Sequence, residues 1–546
     1  MAGTRKQTKN TLNSPFERNC ALFLVILCLL GGCLRLYKLD EKSLWGDELA
    51  TIASAQGNSI NPEAYKLRGE AYDPTTPVQA GPYIQRATLA VSDRPFDCTP
   101  TVEVLRQNVH PPLFFCLMHP VIHYFGSQPV PLRIPAVLFG ILSIPLFYWV
   151  LRRITTPQTA LLATAFLTLS AYQVDHAQDA RQYTLLTLLA LASAGVMLRL
   201  LLSPRWYLWT GLTLLTAAGL YTQYFYAPFA LFIWGYAAWQ RRSDRKFLLK
   251  LLLSGMGVMT LFAPWLESFK AQMAFHAQSG HFSENLWKVS ALPERLFRSL
   301  TAFIAPDSTA IKLIVLGLLM LEGLRHGIAR HKGHTLPQSP VMTFALFWIG
   351  LTVGGQLLID VVQQSHTATV KRYLLLAAPG VYLLFAHLLL NLQLSGRFKI
   401  IRPVLIMLVL GLVSLNTYKA LFIKHHSSDE FRLAAAHITK QQQANDLVIV
   451  NKSGTVSLGM AYYLPKAMLM LPIDAQSSHD LKENSPYLPL IHRAMDSHER
   501  IWLVFSHEAP SSKAQLTRWM TEQGYAEQAE TGFPGVHVYL YQALPD

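Results

Sequence analysis

Long apolar stretches alternate with short basic ones along this chain, and no other feature constrains its fold as strongly. A helix needs roughly 20 mostly apolar residues to cross a bilayer, because each residue adds about 1.5 Å of rise. Segments of that kind lie at 20–37, 132–151, 157–173, 183–202, 206–222, 225–240, 247–265, 308–324, 341–359, 373–391 and 402–422. Composition agrees: 51% of residues are hydrophobic and 15% charged, where a soluble protein carries roughly a quarter charged residues. The sequence therefore predicts a polytopic α-helical membrane protein with about eleven spans, not a large soluble enzyme. The net charge of +14 does not point to nucleic acid. Its basic residues sit in short clusters between apolar segments, which is the pattern of membrane topology.

Those clusters orient the bundle. The arm 1–19 is basic, and the apolar run 21–36 has no small-residue cleavage site, so it reads as a retained anchor with a cytoplasmic arm. The transmembrane module then covers 20–422. Arg152 with Arg153, Arg199 with Arg205, the run Arg241 to Lys246, Arg325 with Arg330 and Lys332, and Arg397 with Lys399 and Arg402 all fall on the cytoplasmic side. The segment 111–125 is apolar but short, and contains His119, Pro120 and His123. Counting it as a span would move every one of these clusters outside, so it is expected to lie along the interface. The external side receives the loop 39–110, loops near 266–307 and 360–372, and the tail. Location in the plasma (inner) membrane is expected. Five cysteines make no framework; Cys98 and Cys116 could meet, though their spacing does not require it.

The middle of the first loop, 58–100, is rich in Pro, Gly, Thr and Gln and has no clear period. The tail, 423–546, reads as a small extracytoplasmic α/β domain. Helices are expected at 431–436 and 511–524, and strands at 446–451, 501–505 and 536–541. It has no phosphate-binding glycine motif, and its expected role is a cap or lid.

Four polar clusters stand at span boundaries: Trp45-Gly46-Asp47-Glu48, His110-Pro111-Pro112-Leu113, Asp175 to Tyr183, and Lys371-Arg372-Tyr373. Each has an ordinary reading. Interfacial acids are solvated, His110 before two prolines starts a helix, Arg181 snorkels, and Tyr183 and Tyr373 join an aromatic belt. The basic loops elsewhere nonetheless place all four clusters on one face, where unrelated residues would scatter over both. Arg372 lies on the wrong side for a topological residue.

Taken in order with Leu132-Arg133-Ile134-Pro135-Ala136, Ala180-Arg181-Gln182-Tyr183 and Ala263-Pro264-Trp265, these motifs resemble the GT-C glycosyltransferases. The likeness is to the dolichyl-phosphate-mannose protein mannosyltransferase-like and aminoarabinose-transferase-like family, and covers about 20–390. It implies a polyprenyl-phosphate-linked sugar donor, chemistry on the extracytoplasmic face, and Asp47 as the base. Many members have Thr-His-Tyr where this chain has Thr222-Gln223-Tyr224, which removes a metal or phosphate contact.

The chemistry expected is a single inverting displacement. Asp47, beside Glu48, takes the proton of an acceptor hydroxyl as it attacks the anomeric carbon. Arg372 is the first candidate to hold the departing phosphate, because a guanidinium matches two phosphate oxygens. Arg181, Lys371 and His110 come second, with Tyr183 and Tyr373 beside them. Glu48 and Asp179 are candidate ligands for Mg²⁺ or Mn²⁺. The acceptor is a lipid, a polysaccharide or a protein. A transporter of a lipid-linked or anionic substrate is the alternative, against which stand spans nearly free of charge and no repeat of one half in the other. A non-catalytic scaffold is a third reading, and the ordered motifs argue against it.

Overall fold

The computed structural model describes residues 15–59, 77–279 apart from 107, 292–423 apart from 307, 333, 335, 336, 338, 364, 366 and 393–395, then 429–451, 455–473, 493, 497–506 and 517–545. Each of the apolar segments forms helix. Six helices among the described residues are long and apolar enough to cross a membrane: Pro15–Leu36, Pro129–Leu151, Tyr183–Leu202, Arg245–Ala274, Pro340–Gln363 and Phe398–Ile423. Others are shorter because local chemistry stops them. Pro157–Leu169 ends at Ser170, whose extended backbone (ψ 121°) begins a new helix, Ala171–Ala177. The segment 371–377 forms two 3₁₀ turns before the helix Ala378–Leu390 starts, with Pro379 in its first turn.

The chain divides into two compact units. The first comprises Met1–Tyr37, Arg106–Phe114 and Arg133–Lys424. Its core is aromatic as well as aliphatic. Phe232 stacks on Trp348 with ring centroids 5.0 Å apart. The Trp348 indole N–H is satisfied by the carbonyl of Leu376 at 2.7 Å, as a buried indole requires. Tyr226 lies flat against the helix Trp206–Thr222 at Gly219, where a Cβ would come within 2.5 Å of the ring. Its hydroxyl meets Ser193 Oγ at 2.7 Å. Arg35 is buried near the end of the first helix. It donates to the carbonyls of Leu167 and Thr168, each at 3.2 Å. These belong to the last turn of Pro157–Leu169, where carbonyls lack helical partners and a cation is favoured.

The second unit comprises Lys38–Leu105, Phe115–Leu132 and His425–Asp546. Its centre is a six-stranded sheet in the order β1-β3-β2-β4-β6-β5, with β1 Val78–Gln79, β2 Leu447–Asn451, β3 Leu469–Ile473, β4 Arg500–Ser506, β5 Tyr525–Phe533 and β6 Val536–Ala543. Strand β2 runs parallel to both β3 and β4, and its residues 447–450 are an unbroken apolar run, as suits a strand covered on both faces. Strand β1 comes from the first loop, and pairs antiparallel with β3 through Val78 and Met470. Loop and tail thus share one sheet. Strands lie where 446–451, 501–505 and 536–541 suggested them, and Phe431–Gln441 is helical. Of the expected helix 511–524, residues 511–516 lie outside the described ones, and 517–522 are helical.

The short helix Leu113–Phe125 carries His119, which is 2% exposed. Its ring nitrogens stand 2.8 Å from the carbonyl of Ala55 and 3.1 Å from that of Arg94. Cys116 on the same helix forms a disulfide with Cys98. Two loop segments, around Ala55 and Cys98, are therefore fastened to this helix.

Candidate active site

In the first unit, the break between Ala171–Ala177 and Tyr183–Leu202 holds the cluster Asp175 to Tyr183. The Gln178 side-chain amide fixes this turn by donating to the carbonyls of Tyr37 at 2.8 Å and Leu34 at 3.3 Å. Asp175, His176 and Asp179 converge so that one ligand atom from each lies within 4.8 Å of the others. His176 Nδ1 is 3.7 Å from Asp179 Oδ2. Both imidazole nitrogens are buried, and neither has a hydrogen-bond partner among the described residues. Buried polar atoms left this way are costly unless something else engages them. An imidazole between two carboxylates fits a divalent cation, and the mixed nitrogen and oxygen donors suit Mn²⁺ or Zn²⁺ better than Mg²⁺. Asp179 was expected as a ligand; Asp175 and His176 were not, although their spacing on one short helix and its end was the available signal.

Arg181, 2% exposed, lies two residues further on. Its Nη2 donates to His110 Nε2 at 3.1 Å. Because a guanidinium only donates, that nitrogen accepts, and the ring proton sits on Nδ1. Tyr183 packs its ring 4.6 Å from that of His176, and Tyr172 packs edge-on against the same imidazole at 4.4 Å. The Tyr172 hydroxyl in turn feels the charges of Asp175 and Arg372. So His110, Asp179, Arg181, Tyr183 and Arg372 share one neighbourhood. Gln223 is buried and accepts from Gln182 at 2.7 Å, a purely internal bond.

Lys371, Arg372 and Tyr373 occupy one 3₁₀ turn and are each half-buried. The Arg372 guanidinium carbon lies 5.4 Å from the Tyr373 ring centroid, and Tyr373 packs on Phe225 at 4.4 Å. Among the described residues, no side-chain partner is found for the Lys371 ammonium. The preceding 3₁₀ turn, Thr367–Thr369, is held by Asp360, which is 1% exposed. Its carboxylate accepts from Ser365 Oγ at 2.6 Å, Thr367 N–H at 2.9 Å and Ala368 N–H at 2.6 Å, as well as from the Thr367 hydroxyl. Asp360 gives no motif, and reading the sequence missed it.

In the second unit, Asp47 and Glu48 lie in the first turn of the helix Gly46–Ala55, where carboxylates complement the helix dipole. Their environments differ. Glu48 is buried and its Oε2 accepts from the Trp45 N–H at 3.3 Å, capping its own helix. Asp47 is half-buried, and its carbonyl accepts from Thr51 Oγ1 at 2.9 Å. Residues of the tail fasten the approach to this helix. Tyr463 Oη accepts from the Leu44 N–H at 2.9 Å, and Arg432 bonds the carbonyl of Glu41 and the hydroxyl of Ser43. In the first unit, between two of the expected spans, burial pushes the Tyr224 phenol up to about 12, so it is a neutral donor to Gln272 and an acceptor from Trp265.

Residues 109–267 match the family described as dolichyl-phosphate-mannose-protein mannosyltransferase. That stretch contains His110 and the whole of Asp175 to Tyr183. No curated protein sequence matches the chain. Among solved structures, the chain is similar to ArnT from Cupriavidus metallidurans in the apo state, with a TM-score of 0.55 and 11% identity, covering 96% of this chain and 98% of that one. It is similar also to the same ArnT bound to undecaprenyl phosphate, with a TM-score of 0.52, 12% identity, and 95% and 97% covered. Over 109–267 the chain thus matches the mannosyltransferase family, and over nearly its whole length its fold is similar to that of ArnT.

Proposed function

We propose that the protein transfers a sugar from a polyprenyl-phosphate-linked donor to an acceptor hydroxyl, with inversion, at the extracytoplasmic face of the membrane. The observation that carries this reading is the buried Arg181, paired with His110 at 3.1 Å and set beside Asp175, His176 and Asp179, inside the family-matched stretch. Such a constellation suits a phosphate group. A lipid-linked donor is supported by the ArnT fold, which in its relative holds undecaprenyl phosphate.

Asp47 is the general base. A hydroxyl is a weak nucleophile until its proton leaves, and Asp47 receives that proton as the new glycosidic bond forms and the bond from anomeric carbon to phosphate oxygen breaks. The leaving lipid phosphate has its last protonation near pH 6, so it needs no acid. What it needs is compensation of developing negative charge in a site already arranged for it. Arg372 supplies a planar fork and Arg181 a second positive charge, with Lys371 and His110 as further donors. A Mn²⁺ or Zn²⁺ ion held by Asp175, His176 and Asp179 would add positive charge for the phosphate. Glu48 keeps the helix of Asp47 in place.

Eleven spans with a cytoplasmic N-terminus and an extracytoplasmic tail complete the proposal. The Cys98–Cys116 disulfide supports it, because such bonds persist in oxidising compartments. Transfer of labelled sugar from a polyprenyl-phosphate donor to membrane acceptors tests the reading. Donor consumed with inverted product supports it. Movement of the intact donor across the membrane without transfer would favour a transporter instead.

A further inference from the structure

A second cationic site lies in the first unit, at the far end of the helices from Arg181. The helix Tyr183–Leu202 begins beside Arg181 and has 20 residues, a length of about 30 Å. At its other end Arg199 lies 5.8 Å from the centroid of the Trp149 ring, against which Arg153 also packs. Here a cavity of about 590 Å³ is lined by Arg152, Arg153, Gln158, Thr159, His387 and Arg402, among others. These residues come from three separate stretches of chain.

Topology alone asks for positive charge near a span end, not for its convergence on a cavity. Among the described residues, the lining contains no Asp or Glu. Glu17 reaches Arg152 from outside it, at 3.2 Å. Arg153 and Arg402 donate only to main-chain carbonyls, of Trp149 at 2.9 Å and Leu390 at 3.2 Å. Their charge is therefore oriented but has no carboxylate partner among the described residues. The first turn of Pro157–Leu169 also faces the cavity through Gln158 and Thr159, and helix N-termini favour anions. A neighbouring cavity shows the contrast: it shares His387, but its Arg325 already lies 3.5 Å from Glu322. Beside Arg402, the helix Ile401–Tyr418 turns Ile401, Val404 and Leu408 outward, all exposed.

We infer that this cavity binds a phosphate group, that of an anionic phospholipid whose acyl chains lie along Ile401, Val404 and Leu408. Basic pockets between membrane helices hold such headgroups. The site is separate from the one proposed for the sugar donor, and needs no assumption about the reaction.

The test is thermal unfolding of the purified full chain in detergent, titrated with phosphatidylglycerol, phosphatidylcholine or inorganic phosphate. Phosphatidylglycerol should raise the midpoint and phosphatidylcholine should not. In Arg153→Gln/Arg402→Gln the concentration needed should rise about ten- to a hundredfold, the effect of losing charge-assisted contacts. Gln158→Glu, which puts an acid into the lining and disturbs no arginine, should weaken the response in the same direction. Equal responses to the two lipids, or a phosphatidylglycerol response unchanged in both variants, would overturn the inference. If inorganic phosphate alone reproduces the shift and the variants abolish it, the phosphate site stands and the lipid as its source is overturned.

Discussion

Asp360→Asn isolates how the turn leading into the proposed phosphate-binding residues 371–373 is held. One carboxylate oxygen takes Ser365 and Thr367, and the other takes the Ala368 N–H at 2.6 Å. Asparagine can keep its oxygen toward the first group. Its NH₂ then faces the Ala368 N–H, donor against donor. The loss is one charge-assisted hydrogen bond, worth about 1.5–3 kcal/mol, together with a buried unsatisfied donor costing about 1–3 kcal/mol. Taking the lower end of each, a local penalty of about 2.5 kcal/mol follows, applied to the segment three residues ahead of Lys371. If donor binding requires that segment in place, affinity for a polyprenyl-phosphate sugar falls by up to about a hundredfold. Titration of the purified variant measures this. Trypsin cleavage at Lys371 and Arg372 reports independently whether the turn has opened. Wild-type affinity together with wild-type cleavage would refute the reasoning, showing that Asp360 does not hold the turn in place.

Arg372→Ala should weaken donor binding about ten- to a hundredfold, and Arg372→Lys should restore it only in part, because lysine keeps the charge but not the planar fork; equal affinity in wild type and Arg372→Ala would place the phosphate at Arg181 or Lys371. Tyr463→Phe strands the Leu44 N–H that leads into the Asp47 helix, and should lower kcat several-fold with donor affinity unchanged, measured by transfer and titration on one preparation. In a background without Cys20, Cys28 and Cys33, a cysteine at exposed Glu522 should label from outside intact cells and one at exposed Ser243 should not; the reverse pattern would invert the topology.

Much of this was legible in the chain, and the exceptions have a common cause. The apolar segments announce their helices because length and hydropathy are local properties. The span expected at 157–173 hides a break, since nothing nearby signals one. Ser170 leaves the helix, and its hydroxyl bonds the carbonyl of Phe303, 133 residues away. The segment 373–391 reads as one helix, yet its first residues are 3₁₀ turns, where the Leu376 carbonyl accepts the Trp348 indole. Strand β1 is two residues long and shows no period; only its partner Met470 makes it a strand. The site divides in the same way. Arg181, Tyr183 and Arg372 stand out as polar residues at span ends, and the structure brings them into one neighbourhood. Asp360 has no such signature, because its partners Ser365 and Thr367 mark it only once the loop is folded.

Asp47→Asn tests base-assisted transfer most directly when transfer and donor binding are measured on the same purified protein. The amide keeps the size of the side chain but cannot take a proton. Transfer should fall by about 10²–10⁴-fold, the usual effect of losing a general base, while affinity for the polyprenyl-phosphate sugar stays near that of wild type. Near-normal turnover in Asp47→Asn would contradict the account, and if Glu48→Gln were inactive while its Tm was unchanged, the base would be the neighbouring carboxylate.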